Sequence, residues 1–255
     1  MRRLPIVEVT VPPVLVAFLW WASLASTSFY FPSMPRILGE FQRVWFSDQF
    51  ARHVLPSLTS LGLGFGLALL GGILLGIPLA RVPRLENALS PILEFFRATP
   101  VAAMVPVALL ALGPGACMEI SLIAFGSIWP ILLATIDGVK GVDPVYLQTG
   151  AIYGLNRGQL LRRIIFPAAL PQIAAGVKIG IASAVAAMVI ANMVGAVRGI
   201  GYFVLTAQQS FDILGTWAGL IMIGLIGSIA SGLYALLRHF MLGWHRDWKK
   251  ATDQQ

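Results

Sequence analysis

The sequence predicts an all-α integral membrane protein with about six transmembrane helices, on three observations. Apolar residues make up 57% of the 255 residues and charged residues only 11%, against about 25% charged in an ordinary soluble domain. The apolar residues gather in runs of ~20, the length a helix needs to cross a bilayer. The charges collect at the ends of those runs, where Lys and Arg set topology. That placement accounts for the net charge of +7 without invoking nucleic acid. The single Cys117 excludes an intramolecular disulfide and reads as a small apolar residue near a membrane edge.

The first run, 11–30, follows Met1-Arg2-Arg3. Ala22-Ser23-Leu24-Ala25 offers small residues suited to signal-peptide cleavage. The length of the run, Trp20-Trp21 in its middle and its direct lead into more membrane favour an uncleaved helix. Residues 31–55 are polar enough for a loop with a short amphipathic helix. The second span, 56–80, carries Gly62, Gly64, Gly66, Gly71, Gly72 and Gly76, small residues that let helix backbones approach closely in lipid. The third, 90–112, contains Arg97 and is broken by Pro100 and Pro106. The fourth runs over 118–136, the fifth over 171–194 and the sixth over 214–237. The chain thus divides into an N-terminal helix and extracytoplasmic loop (1–55), a core of five transmembrane helices (56–237) and a cytoplasmic tail (238–255).

Alternating the spans with the N-terminus inside places all but four of the 18 Lys and Arg on the inner side. These are Arg2, Arg3, Arg81, Arg84, Arg97, Lys140, Arg157, Arg162, Arg163, Lys178, Arg238, Arg246, Lys249 and Lys250. Only Arg36, Arg43, Arg52 and Arg198 fall outside. Such a bias predicts both termini in the cytoplasm, together with the polar insert at 143–167.

That insert is a candidate docking knob. Asp143 followed by Pro144 is a helix start, with a side-chain acceptor at the N-cap and proline in the first turn. A short helix over 144–153 would end at Gly154, which takes the left-handed conformation of a helix exit. Asn156 can cap a second helix through Ile165, which Pro167 is expected to end. Leu160, Leu161, Ile164 and Ile165 are spaced for one face, leaving Arg157, Arg162 and Arg163 for solvent or a partner. On chemistry alone, the insert could equally be a basic anchor at lipid headgroups.

The spacing Gly154, nine residues, then Ile164-x-Phe166-Pro167 resembles the cytoplasmic signature of ABC importer permeases, E-A-A-x-x-x-G-x(9)-I-x-L-P. Phe96-Arg97-Ala98-Thr99-Pro100, Asp137-Gly138-Val139, Ala168-Ala169-Leu170-Pro171, Gly199-Ile200-Gly201-Tyr202 and Ala207-Gln208-Gln209 resemble its nitrate/sulfonate/taurine branch, over residues 35–245. The resemblance implies a type I ABC importer permease fold and a homodimer in a prokaryotic inner membrane. It implies two cytoplasmic ATPase subunits, which bind the ATP and Mg2+, and an extracytoplasmic solute-binding protein; this chain itself holds no cofactor. The insert would then be a coupling helix seated on the ATPase. Arg157, Arg162 and Arg163 would meet acidic residues there, and Leu160 and Leu161 would supply apolar seating. Gln148-Thr149-Gly150 stands where the signature has E-A-A. Gln148 can hydrogen-bond but not pair with a cation, and Gly150 weakens its helix by up to ~1 kcal/mol relative to Ala.

Ionisable groups inside spans are functional suspects. Arg97 and Pro100 in span three, Lys178 at the cytoplasmic end of span five, and Asn192 are candidates for the translocation path. Snorkelling of Arg97 and Lys178 to the inner interface, and an interhelical hydrogen bond from Asn192, are the simpler expectations. Asn192 stands where related permeases commonly carry Glu, and losing that carboxylate lessens repulsion toward an anion. Glu119 and Asp212 are expected at the outer surface. No G-x-x-x-x-G-K-[ST] loop occurs, which points to a transporter subunit without its own ATPase site. No H-E-x-x-H or Ser/His/Asp constellation supports a membrane enzyme, and a non-transporting scaffold is a further alternative. The resemblance implies a nitrate-, sulfonate- or taurine-like anion as solute, with a small heterocyclic vitamin precursor as the alternative.

Overall fold

The computed structural model describes residues 28–241 without a break and scattered positions between 11 and 26. The expected first span therefore lies largely outside the described residues. Arg2, Arg3, Arg246, Lys249, Lys250 and most of the expected tail lie wholly outside them.

Every regular element among the described residues is helical. An amphipathic helix α1 (Met34–Trp45) precedes α2 (Leu55–Arg81), α3 (Pro83–Ala98), α4 (Val101–Leu112) and α5 (Ala116–Lys140). Two short helices, α6 (Pro144–Ile152) and α7 (Arg157–Leu160), lead into α8 (Phe166–Gly195), α9 (Ile200–Gln209) and α10 (Ile213–Met241). The runs Phe50–Arg81, Ala116–Lys140, Arg157–Gly195 and Ile213–Phe240 are long and apolar enough to cross a membrane. α3 and α4 are together apolar and long enough for a fifth, and are bent by 96° where they meet.

The core forms where α5 lies between α2 and α8. The buried face of α2 is Ser57, Ser60, Gly64, Ala68, Gly72, Gly76 and Leu79, spaced three or four residues apart. A side-chain carbon at Gly64 would stand 2.7 Å from Ile123 Cβ, and one at Gly72 2.8 Å from Ile131 Cγ2. The two backbones approach that closely because those side chains are absent. Gly62 and Gly66 meet nothing within 4 Å, so helix phase sorts the glycines of this span into packed and open.

Two prolines expected to mark helix starts or ends do neither. Pro56 and Pro167 each follow a single π-turn, Phe50–Val54 and Leu161–Ile165, and the helix continues through both. In an α-helix a proline ring collides with the carbonyl four residues back. The wider π-turn relieves that collision, and the Phe166 N–H donates to the Leu161 carbonyl five residues back. Pro167 therefore sits in the first turn of α8, and Pro171 lies inside it. Lys178 is exposed on α8, whose continuous helical run begins in the knob at Arg157.

The short α9 is an element the span pattern does not announce. It is ten residues long, and its Ile200 packs with Trp45, Val54, Met222 and Ile226 in one buried cluster. The Trp45 indole N–H donates to the Ala218 carbonyl at 3.0 Å, tying α1 to α10.

Candidate functional site

The knob between α5 and α8 is held by local hydrogen bonds at each turn. Asp143 Oδ1 accepts from the Val145 N–H at 2.8 Å, capping α6. At the far end the Leu155 N–H donates to the Gly150 carbonyl and the Gly154 N–H to the Ala151 carbonyl, each at 3.0 Å. This double closure needs a left-handed residue, and Gly154 supplies it with φ +66°. Asn156 Oδ1 then accepts from the Gln159 N–H at 2.9 Å, while Gln159 Oε1 accepts from the Asn156 N–H at 3.0 Å. That reciprocal pair satisfies two amide donors at the start of α7.

Gly150 has a role its weak helix propensity conceals. It is buried, and a side-chain carbon there would lie 2.6 Å from Leu160 Cδ1 and 2.9 Å from Ile164 Cδ1. The two arms of the knob close on each other through this residue. Leu160 and Leu161 are accordingly half-buried, and Leu160 turns toward α6. The apolar surface presented outward is instead Ile152 (84% exposed) and Tyr153 (77%), with Val145 and Tyr146 beside them. Two large apolar residues directly before the Gly154 turn were the available signal. Gln148, Asn156, Arg157, Arg162 and Arg163 are exposed, and Pro167 is half-buried. Lys140 and Glu86 form an ion pair between the ends of α5 and α3 just behind the knob.

The four path candidates do not gather in one place. Arg97 is exposed at the end of α3, directly before the bend. Thr99 precedes Pro100 and is extended (φ −75°, ψ 119°), as a residue before proline tends to be. Pro100 is extended too and becomes the N-cap of α4, while Pro106 stays inside α4 without breaking it. The elbow opens on a cavity of about 420 Å3 lined by α3, α4, α5 and α8. Lys178 is exposed on α8 and does not line this cavity.

Asn192 is fully buried and makes an interhelical bond, accepting at Oδ1 from Ser57 Oγ at 2.6 Å. Ser57 Oγ also accepts from the Ile200 N–H at 2.9 Å. This chain joins α2, α8 and the start of α9. Glu119 differs from its expected place at the outer surface. It is 5% exposed and accepts from Ser60 Oγ at 2.8 Å, because it shares the inward face of α5 with Met118, Leu122 and Ile123. Asp212 is exposed, and its Oδ1 caps the Gly215 N–H at 2.9 Å.

A bundle with a broken span and a capped knob has a counterpart among known families. Residues 68–242 match the binding-protein-dependent transport system inner membrane component family. The chain belongs to that family. The permease is 32% identical over 195 residues to the taurine transport system permease protein TauC of Escherichia coli (strain K12), covering 76% of this chain and 70% of that protein. It is 33% identical over 190 residues to the nitrate import permease protein NrtB of Synechocystis sp. (strain ATCC 27184 / PCC 6803 / Kazusa), covering 74% and 69%. Its fold is similar to a chain of the MetNI methionine ABC transporter, with a TM-score of 0.64 at 16% identity over 76% of this chain and 96% of that one. The permease is thus a membrane-spanning subunit of an ABC importer, and its family implies ATP-binding and solute-binding partners.

Proposed function

We propose that two copies of this permease form the inner-membrane path of an importer for a small nitrate-, sulfonate- or taurine-like anion. Two cytoplasmic subunits hold the ATP and Mg2+, and an extracytoplasmic protein delivers the solute. The carrying observation is the knob: capped at both turns, closed through Gly150, and presenting Ile152 and Tyr153 uncovered among the described residues. A stiff, partly apolar protrusion suits a groove on a soluble subunit, so that movement of that subunit shifts whole helices. Arg157, Arg162 and Arg163 give the contact a cationic rim. Gln148 makes it less charge-dependent than a Glu there would. In this reading the knob and both termini are cytoplasmic, as the charge bias favours. The relationship to taurine and nitrate permeases supports the anion class.

The test is reconstitution of the permease with its ATPase subunits and binding protein in vesicles. Solute-loaded binding protein should stimulate ATP hydrolysis and drive uptake of labelled taurine or nitrate. Absence of stimulation would leave a scaffold, and retention of a neutral heterocycle by the binding protein would overturn the anion class. Replacing Ile152 and Tyr153 by Ser should weaken capture of the ATPase subunits by the permease; unchanged capture would remove these residues from the contact.

A further inference from the structure

The elbow cavity has a chemistry of its own. Phe125 and Trp129, which help wall it, lie around the middle of the 25-residue α5, and Ser183 faces them from α8. The cavity therefore sits at mid-depth in the bundle, and Arg97 opens onto it there instead of at the inner edge. An Arg at the centre of a span costs about 2.5–3.5 kcal/mol on insertion scales. Such a cost ordinarily brings a carboxylate partner, yet the ion pairs among the described residues are Arg43–Glu40 and Lys140–Glu86. No acidic residue lines the cavity.

Aromatic and polar groups complete the lining. The Trp129 ring walls the cavity, while its indole Nε1–H is fully buried behind that wall, without a hydrogen-bond partner among the described residues. A buried donor left unsatisfied costs ~1–3 kcal/mol, and natural proteins carry few of them. The ring itself is fixed, stacked on Phe96 at 5.9 Å and edge-on to Phe125 at 5.6 Å. The first turn of the 12-residue α4 also reaches the cavity, through Val101, and its N-cap is Pro100, which offers no side-chain acceptor. Helix N-termini of broken spans favour negative charge.

We propose that this cavity is an anion site in the translocation path. Arg97 supplies the charge, the Ser183 hydroxyl supplies a directional donor, the Trp129 ring walls the site, and the ligand is a small monoanionic oxyanion such as a nitrate or a short sulfonate. The inference rests on the import reading above and adds where, and by which groups, the anion is held in the membrane. A guanidinium presents paired donors to paired oxygens.

The test uses the assembled transporter with Cys117→Ser and Ser183→Cys. The thiol is exposed to a sulfonate-bearing and to a trimethylammonium-bearing methanethiosulfonate reagent of similar size. Each transfers its thio group to the cysteine thiolate as a mixed disulfide, releasing methanesulfinate. The sulfonate reagent should react faster by about tenfold, the ratio that ~1.4 kcal/mol of local attraction produces. Arg97→Gln should abolish that preference, and added nitrate or methanesulfonate should protect the thiol. Equal rates, a preference that survives Arg97→Gln, or no reaction with either reagent would overturn the site. Thr99→Cys on the opposite wall provides the same readout where Ser183→Cys does not assemble. Uptake by the unsubstituted transporter is scored separately: its absence sinks the import reading, whereas uptake without charge-selective labelling sinks the site alone.

Discussion

The knob and the elbow are built in opposite ways. The knob is a contiguous stretch whose turns close on near neighbours: Asp143 on Val145, Leu155 on Gly150, Asn156 on Gln159. The elbow is one extended dipeptide, Thr99–Pro100, and its cavity is completed by residues from α5 and α8 far along the chain. A part that transmits force must keep its shape while the rest of the protein moves, and local bonds provide that. A part that admits a solute must change as helices move, so its walls belong to different helices. The expectation is that substitutions in the knob alter coupling equally for every solute, while substitutions in the elbow alter transport in a solute-dependent way.

The largest effect should come from Gly154→Val. A β-branched residue at φ +66° carries ~1–2 kcal/mol or more of strain. The turn then reorients α7, and uptake and stimulated ATP hydrolysis should fall together by about thirtyfold while membrane insertion persists. Loss of uptake alone would break the comparison. Pro100→Ala comes next, because it frees Thr99 to become helical and lets α3 run toward α4. Uptake should fall about fivefold, by unequal factors for nitrate and taurine; equal factors would make the elbow a structural bend only.

Asn156→Ala removes half of the reciprocal cap and should cost ~1 kcal/mol, read as faster amide exchange over 157–160 with α8 unchanged. Spread of that exchange into α8 would show the knob is less self-contained than its bonds imply. The smallest effect belongs to Gln148→Glu, which adds a charge at an exposed position. It should change ATPase capture by ~0.2–1 kcal/mol and only at low salt.

The same contrast separates what could be read in advance. The caps of the knob were legible because each depends on residues within six positions and on the geometry of Asp, Gly and Asn. The amphipathic α1 and the apolar spans were legible for the same reason. Pro167 misled because the π-turn at Leu161–Ile165 carries the helix past it, and no single residue announces that turn. Trp129 and Ser183 carried no signal, being a Trp and a Ser inside apolar helices. Leu160 and Leu161 appeared outward-facing because nothing local reveals that Gly150 leaves room for the α6 arm to close over Leu160.

By itself the sequence determined that the chain is a helical membrane protein and that a capped polar knob interrupts its apolar runs. Hydrophobic burial and local hydrogen bonding act over a few residues and leave a periodic trace. Only the tertiary structure decided that Glu119 turns inward to Ser60, that Leu160 turns toward Gly150, and that a cavity brings Arg97, Trp129 and Ser183 together. Those outcomes depend on which helix faces pack, and Gly64 and Gly72 against Ile123 and Ile131 set that phase across gaps of about sixty residues.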